Sequence, residues 1–504
     1  MNTLLRPVLT GRRRWLAAVC FVIASTASVH AADDDDFVID LPDDMEFGAL
    51  VPMELRVTPD LVAQALVKIK DPLWQHTRAP AARDILYSLP YKITAVEYGG
   101  FAVKAFFNMT NRMQVTAKNL FADAASLSAV GSLLPKDLIS AQDFAQLVPL
   151  FQKITLQERK AGLLLQTGAS QGPFTLQLHT SLQLGERNFW LSKRDVDAIN
   201  AAMKDNFSSD MSVDELMKIR TGPGDTRIKL GFNTLNMTNF QNDIGVELIL
   251  PTSQLRVHAD EGPGLVTFDF DPADPAAAAL AKEKGLRTLR GIRDYLLNPR
   301  LGNRGHFGLG CYIEQKFGLF HDTVQLWVRA SYDIIFAGDE VRMYMFNKTI
   351  TPSALEALEV AARGTPVGSP QDVALVDGNN KYVRQYVLPS SFKSNIQPGG
   401  IANIVMAANF DINKHWRGAL GYDFYLQRQE EVKRIYSPEV DISELNVKGA
   451  EFARAMQHKC FSEILYHNKT KRNDFGVGLG GDFTVAASGI GADWTTYIKC
   501  SVAF

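Results

Sequence analysis

The stretch Ile490-Gly491-Ala492-Asp493-Trp494-Thr495-Thr496-Tyr497-Ile498-Lys499-Cys500-Ser501-Val502-Ala503-Phe504 decides how the rest of the chain is read. Ile490, Ala492, Trp494, Thr496, Ile498, Cys500, Val502 and Phe504 fall on one phase of a two-residue period. Gly491, Asp493, Thr495, Tyr497, Lys499, Ser501 and Ala503 fall on the other. A strand sends alternate side chains to opposite faces, so this is a strand with one apolar face and one wet, doubly charged face.

The same alternation recurs upstream. Phe475, Val477, Leu479, Phe483 and Val485 oppose Gly476, Gly478, Gly480, Asp482 and Thr484. Leu420, Tyr422, Phe424 and Leu426 oppose Gly421, Asp423, Tyr425 and Gln427. Further runs of this kind lie at about 175–184, 227–233, 306–314 and 324–333, with weaker ones near 160–168, 243–250, 402–411 and 458–467. Residues 91–98, 101–109 and 112–119 add N-terminal candidates. A soluble sandwich also alternates, so length has to decide. Many of these runs reach about 10–13 residues, whereas globular strands average about 5–6 and membrane-spanning strands need about 9–11.

Connections fall into two kinds. Short ones lie near 169–173, 236–242, 317–322, 412–417 and 468–473, and long ones at about 186–223, 251–302, 336–400 and 428–457. From residue 160 onward they alternate, as in a barrel with short turns at one end and long loops at the other. The expected fold is therefore all-β: a transmembrane antiparallel β-barrel spanning 91–504, of 12 or 14 strands, with helical insertions in its long outer loops. Helical patterning is read at 193–205, 212–220, 352–363 and 441–456, and from Asp274-Pro275 into the Ala-rich run that follows.

The N-terminus supplies the compartment. Arg6, Arg12, Arg13 and Arg14 precede an apolar run over 15–25, and Val29-His30-Ala31 offers small residues to a peptidase. This reads as a secretory signal peptide over 1–31, cleaved after Ala31. Residues 32–90 form a separate N-terminal segment, periplasmic or lodged in the lumen as a plug; its acidic run at 33–36 is a solvated tail. Lys and Arg number 53 against 55 Asp and Glu, and cleavage removes four of the Arg. That balance excludes a basic nucleic-acid binder. Of the four Cys, Cys311, Cys460 and Cys500 remain in the mature chain; Cys311 and Cys500 sit on apolar strand faces as small hydrophobes. A mean hydropathy near zero is what alternating strands produce.

The C-terminal strand resembles the last strand of Gram-negative outer-membrane barrels, whose terminal Phe and preceding apolar alternates serve as an assembly signal. The resemblance assigns that role to Trp494, Ile498, Val502 and Phe504, and implies the barrel-assembly machinery and outer-membrane lipid as partners. Thr221-Gly222-Pro223-Gly224-Asp225, running into a strand, resembles a Gly-x-Gly-Asp opening of outer-membrane transporters of hydrophobic and aromatic compounds. The turn over 411–417, with Trp416 before the next strand, resembles a periplasmic turn of such barrels. Fatty-acid-type members carry Asn-Pro-Ala in an N-terminal plug, where this chain has Ala79-Pro80-Ala81.

The same alternation places individual residues. His179 and Ser181 share a strand face and match the His-x-Ser pair of outer-membrane phospholipases, but the flanking leucines claim the lipid face, so the pair reads as lumen lining. Asp269, Asp271 and Asp274 lack the Gly and terminal Glu of a calcium loop and read as a solvated loop. Gly476-Val477-Gly478-Leu479-Gly480-Gly481 lies inside an alternating strand, not at a strand–helix junction, so no phosphate site is read there. Trp190, Trp416, Tyr422 and Trp494 read as interfacial girdles. The five Asn-x-Ser/Thr sequons, at Asn108, Asn206, Asn236, Asn347 and Asn468, read as chance. The lumen-lining candidates are Arg227, Lys229, Glu247, Glu314, Arg329, Asp333, Asp423, Asp482, Asp493 and Lys499; mixed charge inside a pore biases which solutes pass, unless the charges pair and fill it. No catalytic residue, metal site or cofactor is expected. The function expected is an outer-membrane channel or transporter, without energy coupling, for passive diffusion of small solutes, hydrophobic ones included. The alternatives are a surface-exposed structural or adhesive barrel anchoring its loops, and a lipid hydrolase.

Overall fold

The computed structural model of the chain describes residues 78, 81–87, 89, 100–114, 155–189, 194, 197, 217–237, 239–253, 287, 290–319, 323–345, 389–436, 440–469 and 473–503. Its strands are β1 Gly100–Gln114, β2 Thr155–Gln171, β3 Phe174–Phe189, β4 Met217–Pro223, β5 Thr226–Met237, β6 Phe240–Leu250, β7 Gly308–Leu319 and β8 Val324–Ile335. There follow β9 Gly338–Tyr344, β10 Ser390–Gln397, β11 Ile401–Asp411, β12 Trp416–Gln427, β13 Glu431–Tyr436, β14 Ala455–Lys469, β15 Asp474–Ser488 and β16 Ala492–Ala503.

The long strands form a closed antiparallel barrel of 12 strand positions. Closure runs through the C-terminal strand: Gly100 to Asn111 of β1 pair with Ala503 to Ala492 of β16. A closed cylinder leaves no strand edge, which a bilayer would not tolerate. β4 and β5 are two halves of one barrel position. β3 pairs with β5 through Phe174 to His179 and with β4 through Leu182 to Asn188. The break falls at Gly224-Asp225. There the Gly224 N–H donates to the Ser181 carbonyl at 2.8 Å, and any Cβ on Gly224 would strike the Ser181 and Gln183 side chains. Asp225 accepts from the Ser253 hydroxyl at 2.6 Å and the Asn303 N–H at 2.5 Å, so the break is tied to the long connection after β6.

The outer face is apolar. Leu178, Leu182, Leu230, Ile244, Leu309, Leu479 and Ile498 are each between a third and three-fifths exposed, and all point away from the bore. Aromatic pairs flank this band. Phe174–Phe232, Phe240–Phe317 and Trp416–Tyr466, with centroids 5.0–5.3 Å apart, lie toward the turn end. Phe307–Phe336 at 5.6 Å and Phe107–Trp494 at 5.5 Å lie toward the loop end. Apolar side chains turned outward, with charges turned inward, are stable only where hydrocarbon is the outer solvent. The molecule is a membrane-spanning β-barrel.

Turns at one end are short. β2 and β3 are joined by Gly172-Pro173, with Gly172 at φ +59°, a left-handed conformation that costs glycine nothing. At the other end the long connections depart from the helical expectation. A second sheet, in the order β13-β10-β9, occupies parts of 336–400 and 428–457. Residues 217–220, expected in a helix, are strand, because Met217, Ile219 and Thr221 alternate with Lys218, Arg220 and Gly222 against β3. Of 441–456, only a 3-10 turn at Ile442–Glu444 and the short helix Val447–Ala450 are helical, and Ala455 already begins β14. Residues 290–297 are helical, without having been marked. Expected strands at 101–109 and 112–119 merge, as far as residue 114, into β1. Ile490 departs from the outer face and packs against an inner cluster with Tyr87, Ile249, Ile335, Ile401 and Tyr425. The signal segment, 91–99, the helices expected at 352–363 and after Asp274, most of 193–205, and Phe504 lie outside the described residues.

Candidate functional site in the barrel lumen

Alternation fixes which side chains enter the bore. Arg227, Lys229, Glu247, Arg329, Asp333, Asp423, Asp482, Asp493 and Lys499 all point inward and are at most 5% exposed; Glu314 points inward beside them. They do not form a solvated ring. They pair.

On the wall from β5 to β8, the Arg227 Nη1 meets Glu247 at 2.7 Å and Asp333 at 3.6 Å. Arg329 donates to Glu247 at 3.1 Å and to Glu314 at 3.4 Å, and stacks its guanidinium 4.0 Å from the Tyr312 ring centroid. On the wall from β12 to β16, the Lys459 ammonium reaches Asp493 at 2.7 Å and Asp482 at 3.1 Å. Asp493 also accepts from Gln457 at 2.6 Å and Asn108 at 3.0 Å. Near the loop end of β2 and β3, Glu158 binds the Lys160 ammonium at 2.8 Å and the Arg187 Nε at 2.7 Å. Burying so many ions is tolerable only because each finds an opposite charge; stripping one partner from a buried pair costs about 3–5 kcal/mol.

Residues 81–87 and Leu89 lie between these walls. Arg83 donates to Asp423 at 2.9 Å on one side. Tyr87 lies edge-on to Tyr425, 5.6 Å between centroids, and receives Arg227 over its ring at 3.7 Å from the other. The Lys104 ammonium of β1 donates to the Leu89 carbonyl at 2.6 Å. Ile85, Leu86 and Leu89 pack with Phe106, Leu164 and Tyr497. The segment is a bolt across the lumen, fastened by polar contacts at both walls.

The loop end holds a second charged cluster, outside the spanning strands. Glu430 accepts from Arg304 at 2.7 Å and from Arg342 at 2.8 Å. Glu340 meets Arg342 at 3.2 Å and His306 at 2.6 Å. Arg304, Arg342 and Arg300 crowd the Phe452 ring at 3.7, 4.6 and 4.9 Å. Burial by itself would push the Glu340 carboxyl up, but Arg342 and Arg304 hold it down at about 2. These residues come from three separate connections.

Other candidates resolve as follows. His179 and Ser181 lie buried in the lumen wall, and the Ser181 hydroxyl accepts from Gln183 at 2.9 Å. Asn108 is 2% exposed inside the bore, so that sequon is no glycosylation site. In β15, a Cβ on Gly480 would come within 2.5 Å of the Tyr497 ring, so the glycines make room for inward aromatics. Cys311, Cys460 and Cys500 carry free thiols. Trp416 and Trp494 are exposed on the outer face. Tyr422 faces outward too, hydrogen-bonded to His458. Among the described residues no group of His, Cys, Asp and Glu is arranged to hold a metal. Asp269, Asp271, Asp274 and Trp190 lie outside the described residues.

Several lumen residues were missed by the sequence reading: Lys104, Glu158, Lys160, Lys459 and Glu463 among the strands, and Arg83 in the bolt. The strand residues carried a usable signal, since the alternation of β1, β2 and β14 places them inside. Arg83 carried none.

No protein-family profile matches the chain, and no curated protein matches it. Among solved structures it is similar to an outer-membrane channel from Pseudomonas putida F1 (8% identity, TM-score 0.38, covering 82% of this chain and 98% of that one). It is also similar to the Pseudomonas putida toluene transporter TodX (8% identity, TM-score 0.30, 86% and 96%). A third likeness is to the β domain of the Bordetella autotransporter BrkA (8% identity, TM-score 0.28, 81% and 100%). The account of this chain rests on its own geometry.

Proposed function

We propose that this chain is an outer-membrane channel for passive passage of small solutes, closed in the state described by residues 81–89. One observation carries the reading: the segment lying across the bore is held to the walls by side-chain contacts, polar ones and one apolar cluster, and not by the strand ladder. Arg83–Asp423, Lys104 to the Leu89 carbonyl, and Arg227 over Tyr87 are its main fastenings. Each can be exchanged for water without disturbing the hydrogen-bonded ladder of the wall. A bore meant only to be solid would have no use for a detachable core.

Arg83→Ala tests this. It takes the cation from Asp423, to which Asn403 still donates at 2.9 Å, and removes one end of the bolt, a loss of up to about 3–5 kcal/mol by the rule for buried pairs. In planar bilayers the variant should open more often, or to higher conductance, than the unaltered protein. Folded protein that never conducts, in either form, and passes no solute in vesicle-swelling assays would overturn the channel. It would favour a second reading, in which the barrel anchors the loop-end sheet β13-β10-β9, an ordered platform with its own ion cluster.

A further inference from the structure

The bore does not end flush at the turn end. Beneath the Arg227–Glu247–Arg329 cluster lies a cavity of about 320 Å³, walled by β2, β3, β5, β6, β7 and the Gly172-Pro173 turn. That is the lower end of the size range of small-molecule sites, about 300–1,000 Å³. Tyr312 lies across the inner wall over two glycines; a Cβ on Gly231 would come within 2.6 Å of its hydroxyl. Arg329 stacks on the same ring at 4.0 Å, separating the cavity from the ion pairs above.

The lining is mostly polar. Among the described residues its apolar members are Ala169, Pro173 and the Tyr312 ring, and no Leu, Ile, Val, Phe or Met takes part. Thr175, Gln177, Asn233 and Gln241 supply hydroxyl and amide groups, each able both to donate and to accept. Asp243 takes the Gln241 amide at 2.8 Å on one carboxylate oxygen and has Asn233 as a second hydrogen-bonding neighbour. A carboxylate accepts at several lone pairs, so it can take a further donor. A hydrocarbon would meet apolar surface only at Ala169, Pro173 and Tyr312, among hydroxyls, amides and charges. An anion would face Asp243 and Glu314. A cation is poorly served, because Glu314 is engaged by Arg329 and Lys316 stands in the same wall.

We propose that this vestibule binds a neutral polyhydroxylated solute of monosaccharide size, one of whose hydroxyls donates to Asp243. The solute's passage onward rests on the channel reading; its binding rests on the cavity alone.

Calorimetric titration of D-glucose into the purified, folded full-length protein tests it, with n-hexanol as the apolar probe. D-glucose should give saturable heat, with binding about ten-fold or more weaker in Asp243→Asn, the cost of one charge-assisted hydrogen bond. Gln177→Ala should weaken it several-fold, and Lys393→Ala, in the outer sheet, should leave it unchanged. Folding of each variant is read from its heat-modifiable gel mobility. Absence of saturable heat with D-glucose, affinity indifferent to both cavity variants, or displacement of D-glucose by n-hexanol would each overturn the proposal. A barrel that binds D-glucose yet never conducts would keep this site and remove the channel; one that conducts and binds none would do the reverse.

Discussion

The two ion clusters have similar members and opposite construction. In the wall cluster, Arg227, Glu247, Glu314, Arg329 and Asp333 sit on consecutive strands β5 to β8, and register alone brings them together: Lys229 stands opposite Glu247, and Glu314 opposite Arg329. In the loop-end cluster, Arg304, Glu340 and Glu430 come from connections far apart in sequence, with Arg304 and Glu430 126 residues apart. Backbone hydrogen bonds hold the first arrangement and the charges merely fill it. In the second, the charges and the Phe452 ring do much of the holding. The same side chains are therefore cargo in one place and fastener in the other.

Removing the acid at the centre of each cluster separates the two cases. Glu430→Ala leaves Arg304 and Arg342 only Glu340 to share between them and withdraws the acceptor of the Phe452 N–H. The expected loss is about 3–5 kcal/mol and it is structural. Amide exchange over 338–344 and 431–436 should rise by orders of magnitude, while the barrel keeps its heat-modifiable mobility. Unchanged protection there would show that the loop-end sheet stands without its ions.

Acid should have a graded version of the same effect. The Glu340 carboxyl is held at about 2, against 4.5 for the free group. A lowered pKa in the folded state means the contribution is complete above about 4.5 and disappears as the pH falls through about 2. Amide protection of 338–344, corrected for intrinsic exchange, should thus be constant from pH 7 to 5 and decline between 4.5 and 2. A decline that begins near neutrality would assign the fastening to another group.

The smallest change is expected in the wall. Glu247→Gln keeps hydrogen-bonding atoms in place and leaves Arg227 with Asp333 and Arg329 with Glu314, so neither cation loses its last acid, and the strand ladder is untouched. Protection of β5 to β8 amides should stay within about two-fold, since the ladder and not the ion pairs sets it. A collapse of protection there would erase the distinction between the two clusters.

The contrast also marks what the sequence discloses. A period of two is a local property, so the spanning strands, the phase that turns charged residues inward and a count of 12 or 14 strands, of which the barrel has 12, are legible directly. Loop architecture depends on contacts between distant segments. Hence 217–220 patterns as helix although it completes a barrel position, and no local pattern announces the sheet β13-β10-β9. Pairing was half legible: alternation shows that Lys459 and Asp493 both face inward, but not that a neighbour lies close enough to neutralise each. Arg83 lay beyond reach, because a side chain that crosses a bore obeys no strand period.

All of this assumes that lipid surrounds the outer face of the cylinder. Spin labels placed singly from 475 to 485 along β15, in protein reconstituted into bilayers with its native thiols replaced by Ser, read this residue by residue. Accessibility to oxygen should peak at Phe475, Val477, Leu479, Phe483 and Val485, with a water-soluble nickel chelate excluded at the same positions. Equal accessibility at neighbouring residues, or ready access of the chelate to Leu479, would contradict it.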